Sequence, residues 1–323
     1  MTISLVTGAD GFVGRYLVNL LISRGDQVIE LINPKPHDNL ARLQGAKVEF
    51  NAENDCRYRI PVDILDSTKI KAVISEYRPN EIYHLAGQSS PGASWERPAH
   101  TMRVNYEGSI NLLEGVLEAK LNSAVVLASS SSIYAPNNAT SLIDENSECN
   151  PSTPYGISKL AVDHLARIYH KAYHLPVFSA RPFFLIGAMK VGDVCSDWAR
   201  NIVSIERGNS ESLSIGQVNG VIRDFLSIHD GVRGLALIAS HGSAGESYNI
   251  CSGVGIALNH ILDALIKASP NKIQISINES KIRPIEELIK VGDNKKLRSL
   301  GWSQMVTIDD SINEILEYWR ATY

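Results

Sequence analysis

Val6-Thr7-Gly8-Ala9-Asp10-Gly11-Phe12-Val13-Gly14 follows a short apolar run (Ile3, Leu5, Val6) and precedes a helical pattern carried by Leu17, Leu20 and Leu21. A strand that turns through glycines into a helix presents free backbone N–H groups and a positive dipole end to an anion. Gly8 suits a tight turn, Gly11 the approach of a pyrophosphate to the backbone, and Gly14 close packing of helix on strand. The spacing is G-x-x-G-x-x-G where the usual dinucleotide fingerprint reads G-x-G-x-x-G. Its position directly after a first strand strengthens the reading as a dinucleotide turn.

Outward from this stretch, strand-like and helix-like segments alternate, which predicts right-handed βαβ units and a parallel sheet. Strands are predicted at Ile3–Thr7, Gln27–Ile32, Lys47–Phe50, Glu81–Leu85, Ala124–Ser129 and Val177–Arg181. Helices are predicted at Val13–Ser23, Ser67–Tyr77, His100–Ala119 and Gly156–Tyr173. After about residue 186 the pattern is more mixed. A helix near Asn259–Ala268, a strand at Lys272–Ile277 and a closing helix from Thr307 to Arg320 predict a smaller C-terminal lobe. In an open parallel sheet, ligands sit beyond the carboxyl ends of the strands, so the second lobe would close over that edge.

The chain has 323 residues, 44% hydrophobic and 20% charged, values ordinary for a globular enzyme. A net charge of −4 gives no reason to expect nucleic acid or a membrane surface as partner. Cys56, Cys149, Cys195 and Cys251 are scattered without metal-ligand spacing and read as reduced packing residues of a cytoplasmic protein. No signal peptide, spanning segment or metal site is expected.

Two further stretches carry chemistry. Tyr155-Gly156-Ile157-Ser158-Lys159 opens a helix, and a spacing of four puts Tyr155 and Lys159 on one face. A nearby ammonium would lower the phenol's pKa and make Tyr155 a usable acid or base. Leu127-Ala128-Ser129-Ser130-Ser131-Ser132-Ile133-Tyr134 ends an apolar strand, where hydroxyls could hold a substrate carbonyl. Spacing alone does not decide which serine points inward.

Together these features resemble the extended short-chain dehydrogenase/reductase family, the nucleotide-sugar epimerases, dehydratases and reductases. The likeness covers Thr7–Gly14, Asp63-Ile64, His84-Leu85-Ala86-Gly87, Asn105-x-x-Gly108, Ser129–Tyr134, Tyr155–Lys159, Arg181-Pro182-Phe183, Arg223-Asp224-Phe225 and Arg283-Pro284. It implies a Rossmann-type doubly wound parallel sheet with a smaller mixed α/β C-terminal lobe. Residues 1–185, with about 221–250, would bind NADP(H); residues 186–220 and 251–323 would bind a nucleotide sugar. By the same match, Gly8, Gly11 and Gly14, with Phe12 and Val13, would wrap the cofactor pyrophosphate. Asp63 and Ile64 would meet the adenine, Leu85, Ala86 and Gly87 would line the nicotinamide side, and Asn105 would complete the set. Ser130, four before Tyr134, matches the catalytic Ser/Thr, Tyr155 the proton donor or acceptor, and Lys159 the residue that binds the nicotinamide ribose. Ser131, Arg181, Arg223, Arg283 and Glu286 would face the substrate, with Arg223 and Arg283 on its diphosphate. A homodimer through the helices at His100–Ala119 and Gly156–Tyr173 is implied as well.

The cofactor and the reaction follow from what certain positions hold. An NAD enzyme usually has an acid just after its second strand for the ribose 2′-OH. This strand ends Leu31-Ile32-Asn33-Pro34-Lys35, with Glu30 inside it, which favours NADP(H) over NAD(H). Family dehydratases place Asp or Glu one or two residues after the catalytic Ser/Thr, where this chain has Ser131 and Ser132. That disfavours 4,6-dehydration and leaves 4-keto-sugar reduction, with 4-epimerisation as the alternative and a non-catalytic dinucleotide sensor behind both. Tyr248–Gly255, Arg283–Glu286, Val291–Leu297 and Gly301-Trp302 look most like the GDP-mannose branch, in particular its 4-keto-6-deoxy-mannose reductases. Where the family reads Arg-x-Phe-Asn, this chain reads Arg181-Pro182-Phe183-Phe184, and Phe184 could face a 6-deoxy methyl or pack in the core.

Overall fold

The computed structural model describes residues 1–34, 56–136, 141–216, 218–278 and 287–323. Its centre is a seven-stranded sheet in which every neighbouring pair is parallel. Six of the strands are β1 (Ile3–Thr7), β2 (Gln27–Ile32), β3 (Arg57–Pro61), β4 (Glu81–His84), β5 (Ala124–Ala128) and β6 (Val177–Pro182). Across the sheet the order is Ser247–Ile250, β6, β5, β4, β1, β2, β3. The chain leaves β1 toward β2 and β3, then returns to β4 on the other side. The β1/β4 boundary is therefore the switch point at which such sheets bind ligands.

Both faces are buried, which is why the strands read as nearly continuous apolar runs. Leu5, Ile29, Leu31, Ile82, Val125, Leu127 and Val177 point into one core, with the helices Ser67–Tyr77, Gly108–Glu118 and Pro154–Tyr173. Their chain neighbours Val6, Val28, Tyr83, Val126 and Phe178 point into the other, with α1 (Phe12–Ser23) and the helix Ile228–His241. A third core joins the helices Val194–Glu206, Leu258–Lys267 and Ile308–Thr322 under small sheets formed by short strands.

One predicted element is corrected, and one predicted strand is not covered by the described residues. The third strand of the sheet is Arg57–Pro61, while Lys47–Phe50 lies outside the described residues. β3 escaped an apolar-run reading because it is an edge strand whose arginines have a use: Arg57 and Arg59 both pair with the fully buried Glu30 of β2. The predicted helix His100–Ala119 is two helices, Pro98–Met102 and Gly108–Glu118, joined by a π-helical turn at Arg103–Glu107. That turn carries the buried Asn105. Among the described residues no helix is long and apolar enough to cross a membrane.

Candidate active site

The glycine-rich turn joins β1 to α1 at the switch point. Gly8 sits at φ +65°, a left-handed conformation that suits glycine. A Cβ on Gly14 would lie 2.2 Å from the Gly8 carbonyl oxygen, so helix and strand approach as closely as backbones can. Gly11 is the N-cap of α1, and no side chain caps the helix there. A Cβ on Gly11 would meet only the Gly8 oxygen, at 3.1 Å, leaving its outer side open. Uncapped N–H groups at Phe12, Val13 and Gly14 beside an open backbone face fit a dinucleotide pyrophosphate. Gly14→Ala would overpack the turn by on the order of 1–3 kcal/mol. A rise of about tenfold or more in the dinucleotide Kd is expected by fluorescence titration; unchanged affinity would show that the turn is not the binding element.

A buried hydrogen-bond relay fixes the facing loop. The Ala86 N–H donates to Thr7 Oγ1 (3.0 Å), which lies 2.9 Å from His84 Nδ1. His84 Nε2 lies 3.0 Å from Ser109 Oγ, which donates to the Asn105 carbonyl (2.7 Å). With Ser109 donating onward, Nε2 carries the imidazole proton and Nδ1 accepts from Thr7. Burial, and then the charge of Lys159, push His84 down to about 3, so it stays neutral and acts as a fixed strut. Asn105 clamps Gln88 at both backbone atoms, accepting its N–H at Oδ1 (2.7 Å) and donating to its carbonyl (3.1 Å). Its amide also donates to Ser158 Oγ (2.8 Å) on the helix of Tyr155. Leu85, Ala86 and Gly87 are thereby set at the mouth of β4. The sequence pointed to Asn105 and missed Thr7 and Ser109, whose roles exist only through His84.

Ser130, Tyr155 and Lys159 converge at the end of β5. Thr153 caps their helix by accepting the Gly156 N–H (2.9 Å), and Pro154 occupies its first turn. Ser94 Oγ holds the Tyr155 N–H (3.1 Å). The structure decides among the serines. Ser129 donates to the Lys159 carbonyl (3.1 Å), whereas Ser130, which accepts the Ser132 N–H (3.1 Å), is the hydroxyl that acts on the Tyr155 phenol. Ser131 is buried in the short 3₁₀ turn that follows.

The expectation for the phenol is corrected. Burial raises the Tyr155 pKa, Ser130 pulls it part of the way back, and the net shift is upward. Lys159 does not lower it, because its ammonium donates to the Ala128 carbonyl (2.7 Å) and stands 6.0 Å from the phenol ring centroid. Burial in turn brings Lys159 down to about 8. The site holds a protonated phenol under the influence of a hydroxyl, with an ammonium fixed one helical turn away.

Other sequence-derived residues fall differently. Asp63 is exposed and accepts the Leu65 N–H (2.9 Å), and the cap of the next helix is Asp66. Ile64 is buried against Gly108. Asn33 is exposed at the end of β2. Arg181 is not placed to bind substrate. It is 3% exposed and bidentate to Asp163 (2.8 and 2.7 Å), and it donates to Tyr134 Oη and the Glu145 carbonyl (2.8 Å each). Arg223 donates to the carbonyls of Ile222 (3.0 Å) and Leu288 (2.9 Å) and stacks 5.5 Å over the Phe184 ring. Phe184 also tilts against Phe225, so it packs rather than standing free. Arg283 and Glu286 lie outside the described residues. The buried Asp224 accepts from Ser252 N (2.7 Å), Ser252 Oγ (2.6 Å), Gly253 N (3.0 Å) and Gly292 N (3.1 Å), and so ties together the loops behind Arg223.

Comparison with known proteins agrees with this geometry. The GDP-mannose 4,6 dehydratase family matches residues 5–315. The GDP-6-deoxy-D-mannose reductase of Pseudomonas aeruginosa is 28% identical over 320 residues, covering 98% of this chain and 96% of that protein. The solved structure of RMD from Pseudomonas aeruginosa complexed with NADPH superimposes with a TM-score of 0.85 at 27% identity, over 100% of both chains. The UDP-glucose 4-epimerase of Thermus thermophilus, solved with NAD, gives 0.84 at 25% identity over 98% of this chain and 99% of that one. The chain belongs to the GDP-mannose 4,6 dehydratase family, within the extended short-chain dehydrogenases/reductases that act on nucleotide sugars.

Proposed function

We propose that this protein is an NADP(H)-dependent reductase of a nucleotide-linked 4-keto-6-deoxy-hexose, with a GDP-linked sugar as substrate. The observation that carries this reading is the Ser130–Tyr155 pair: a buried, protonated phenol under the influence of a neighbouring hydroxyl, with serines at 131 and 132. A protonated phenol is poised to give a proton, which is what reduction of a ketone requires; elimination of water would need a further acid and base beside it. The bound dinucleotide supplies a hydride. Tyr155 delivers a proton to the carbonyl oxygen, Ser130 hydrogen-bonds that oxygen, and Lys159 holds the ribose and keeps a positive charge near the developing alkoxide.

The NADP(H) preference is supported by Glu30, the acid of β2, which is buried against Arg57 and Arg59 and so not available to a ribose 2′-OH. The Pseudomonas aeruginosa structure that superimposes on this chain was also solved with NADPH. Arg223 donates to the Leu288 carbonyl and stacks over Phe184, and by the family resemblance it would meet the substrate diphosphate together with Arg283 and Glu286. Homodimerisation is supported by apolar side chains on the outer face of the Tyr155 helix, where Ile157 and Ile168 are 52% and 55% exposed.

The test is NADPH oxidation, followed by absorbance, with freshly generated GDP-4-keto-6-deoxy-mannose; NADH and a dTDP-linked keto-sugar run in parallel. Stoichiometric oxidation is expected. No oxidation, in a protein that retains tightly bound NAD(H), would overturn the reductase in favour of the 4-epimerase, a reading that the Thermus thermophilus match keeps in view.

A further inference from the structure

The segment from Gly187 to Asp193 leaves the small strand Phe184–Ile186 and lies across the first turn of α1. Tyr16 Oη donates to the Ala188 carbonyl (3.2 Å), and Arg15 reaches the Met189 sulfur (3.9 Å). Met189 sits at φ +65°, a left-handed conformation that a non-glycine residue adopts only where its surroundings impose it. That bend sets the direction of Lys190.

Lys190 is held on several sides. Its ammonium donates to the Leu185 carbonyl (2.5 Å) and pairs with Asp193 Oδ2 (3.2 Å). Asp193 is itself fixed, because its other oxygen accepts the N–H groups of Cys195 (2.8 Å) and Ser196 (3.1 Å) as the cap of the helix Val194–Glu206. The ammonium stands 5.3 Å from the centroid of the Phe12 ring. Phe12 is the first residue of α1, directly after the uncapped Gly11. An ammonium has three donors, and among the described residues two have partners. A side chain 25% exposed leaves the third facing out of the protein beside the anion-binding turn. The other lobe therefore places a fixed, incompletely bonded cation at the start of the helix whose N–H groups await a pyrophosphate.

We propose that Lys190 is a cofactor-binding residue whose ammonium meets the pyrophosphate of the dinucleotide, opposite the α1 N-terminus, so that the second lobe grips the cofactor directly. The inference rests on dinucleotide binding alone and is independent of which sugar is reduced. Because the pyrophosphate is common to both dinucleotides, Lys190 adds affinity without choosing between them.

The experiment measures Kd for NADP+ and NAD+ by fluorescence titration, at low and high salt, in the wild type and three variants. Lys190→Met keeps an apolar stem over Phe12 and removes the charge. It is expected to weaken both dinucleotides by the same factor, about tenfold, as loss of one charged hydrogen bond would, and to flatten the salt dependence of Kd. Lys190→Arg should retain binding. Asp193→Asn keeps a residue able to cap the helix while releasing Lys190 from its ion pair, and should bind at least as tightly as the wild type. Equal Kd values for the wild type and Lys190→Met would overturn the proposal. A loss confined to NADP+ would place the cation at the 2′-phosphate and overturn it too. If Lys190→Met does not fold, weakened binding in Asp193→Asn, or loss of binding in a folded Lys190→Arg, would still show that loop shape rather than charge is at work.

Discussion

A Tyr155→Phe protein is expected to fold normally, bind the dinucleotide with little change, and turn over roughly 10²–10⁴-fold more slowly. The ring is buried and phenylalanine fills the same space; what is lost is one hydroxyl. Cofactor binding survives because the turn at Gly8–Gly14 and the Asn105 relay do not use that hydroxyl. The loss therefore falls on kcat. The pH profile carries a second signature. Tyr155 is shifted upward and His84 stays neutral above about 3, so neither introduces a fall in activity through neutrality. Lys159 is depressed to about 8 by burial, so its charge is present below that pH and lost above it. kcat/KM should hold level through neutrality and decline above about pH 8, and Lys159→Met should lack that decline. Near-full turnover by Tyr155→Phe would remove the phenol from the mechanism altogether.

How far the sequence could be read depended on whether a residue's job was local. The expected bounds of β1, β2 and the helix Ser67–Tyr77 match to the residue, because strands buried on both faces are apolar throughout and the helix buries Ile70, Val73 and Ile74 at helical spacing. β3 has no such match, since Arg57 and Arg59 look like a solvated stretch until Glu30 is seen beneath them. The helix Ile228–His241 is obscured in the sequence although Ile228, Val232, Leu235 and Ile238 recur at helical spacing, because Gly231 and Gly234 interrupt that pattern. In the site, the spacing of four between Tyr155 and Lys159 brought both to one face, as expected. What Lys159 does there depends on the Ala128 carbonyl, an atom that no spacing rule points to. Lys190 was invisible for the same reason: its meaning lies in Phe12, on an element that the chain had left long before.

Arg181 shows the cost of reading a motif without its partner, and it carries the second large prediction. Within Arg181-Pro182-Phe183 it resembles a substrate contact, yet its partner Asp163 lies one turn beyond Lys159 on the Tyr155 helix. From Arg181 the network runs to Tyr134, just after the Ser131–Ile133 turn, and on through the Tyr134 hydroxyl to Asn249 Oδ1 (2.7 Å). Asn249 N–H donates to Glu145 Oε1 (2.8 Å), closing the ring around the guanidinium. Burial alone would raise the Asp163 carboxyl, but Arg181 and Ser179 override it and hold it below its ordinary value. A depressed carboxylate contributes stability above its unfolded pKa and loses it as pH falls through the folded one, so this contribution is complete at neutral pH. Asp163→Ala should therefore cost roughly 3–5 kcal/mol at neutral pH, because it strands a buried guanidinium. Tyr134→Phe, which removes a single hydroxyl, should cost about 1 kcal/mol. The double variant Asp163→Leu/Arg181→Met should recover most of the loss, since a buried pair replaced by apolar groups of similar size is often neutral. Chemical denaturation of the three proteins separates these outcomes. If Asp163→Ala cost no more than Tyr134→Phe, water or another group would have to be reaching Arg181, and a role for that guanidinium at the substrate would reopen.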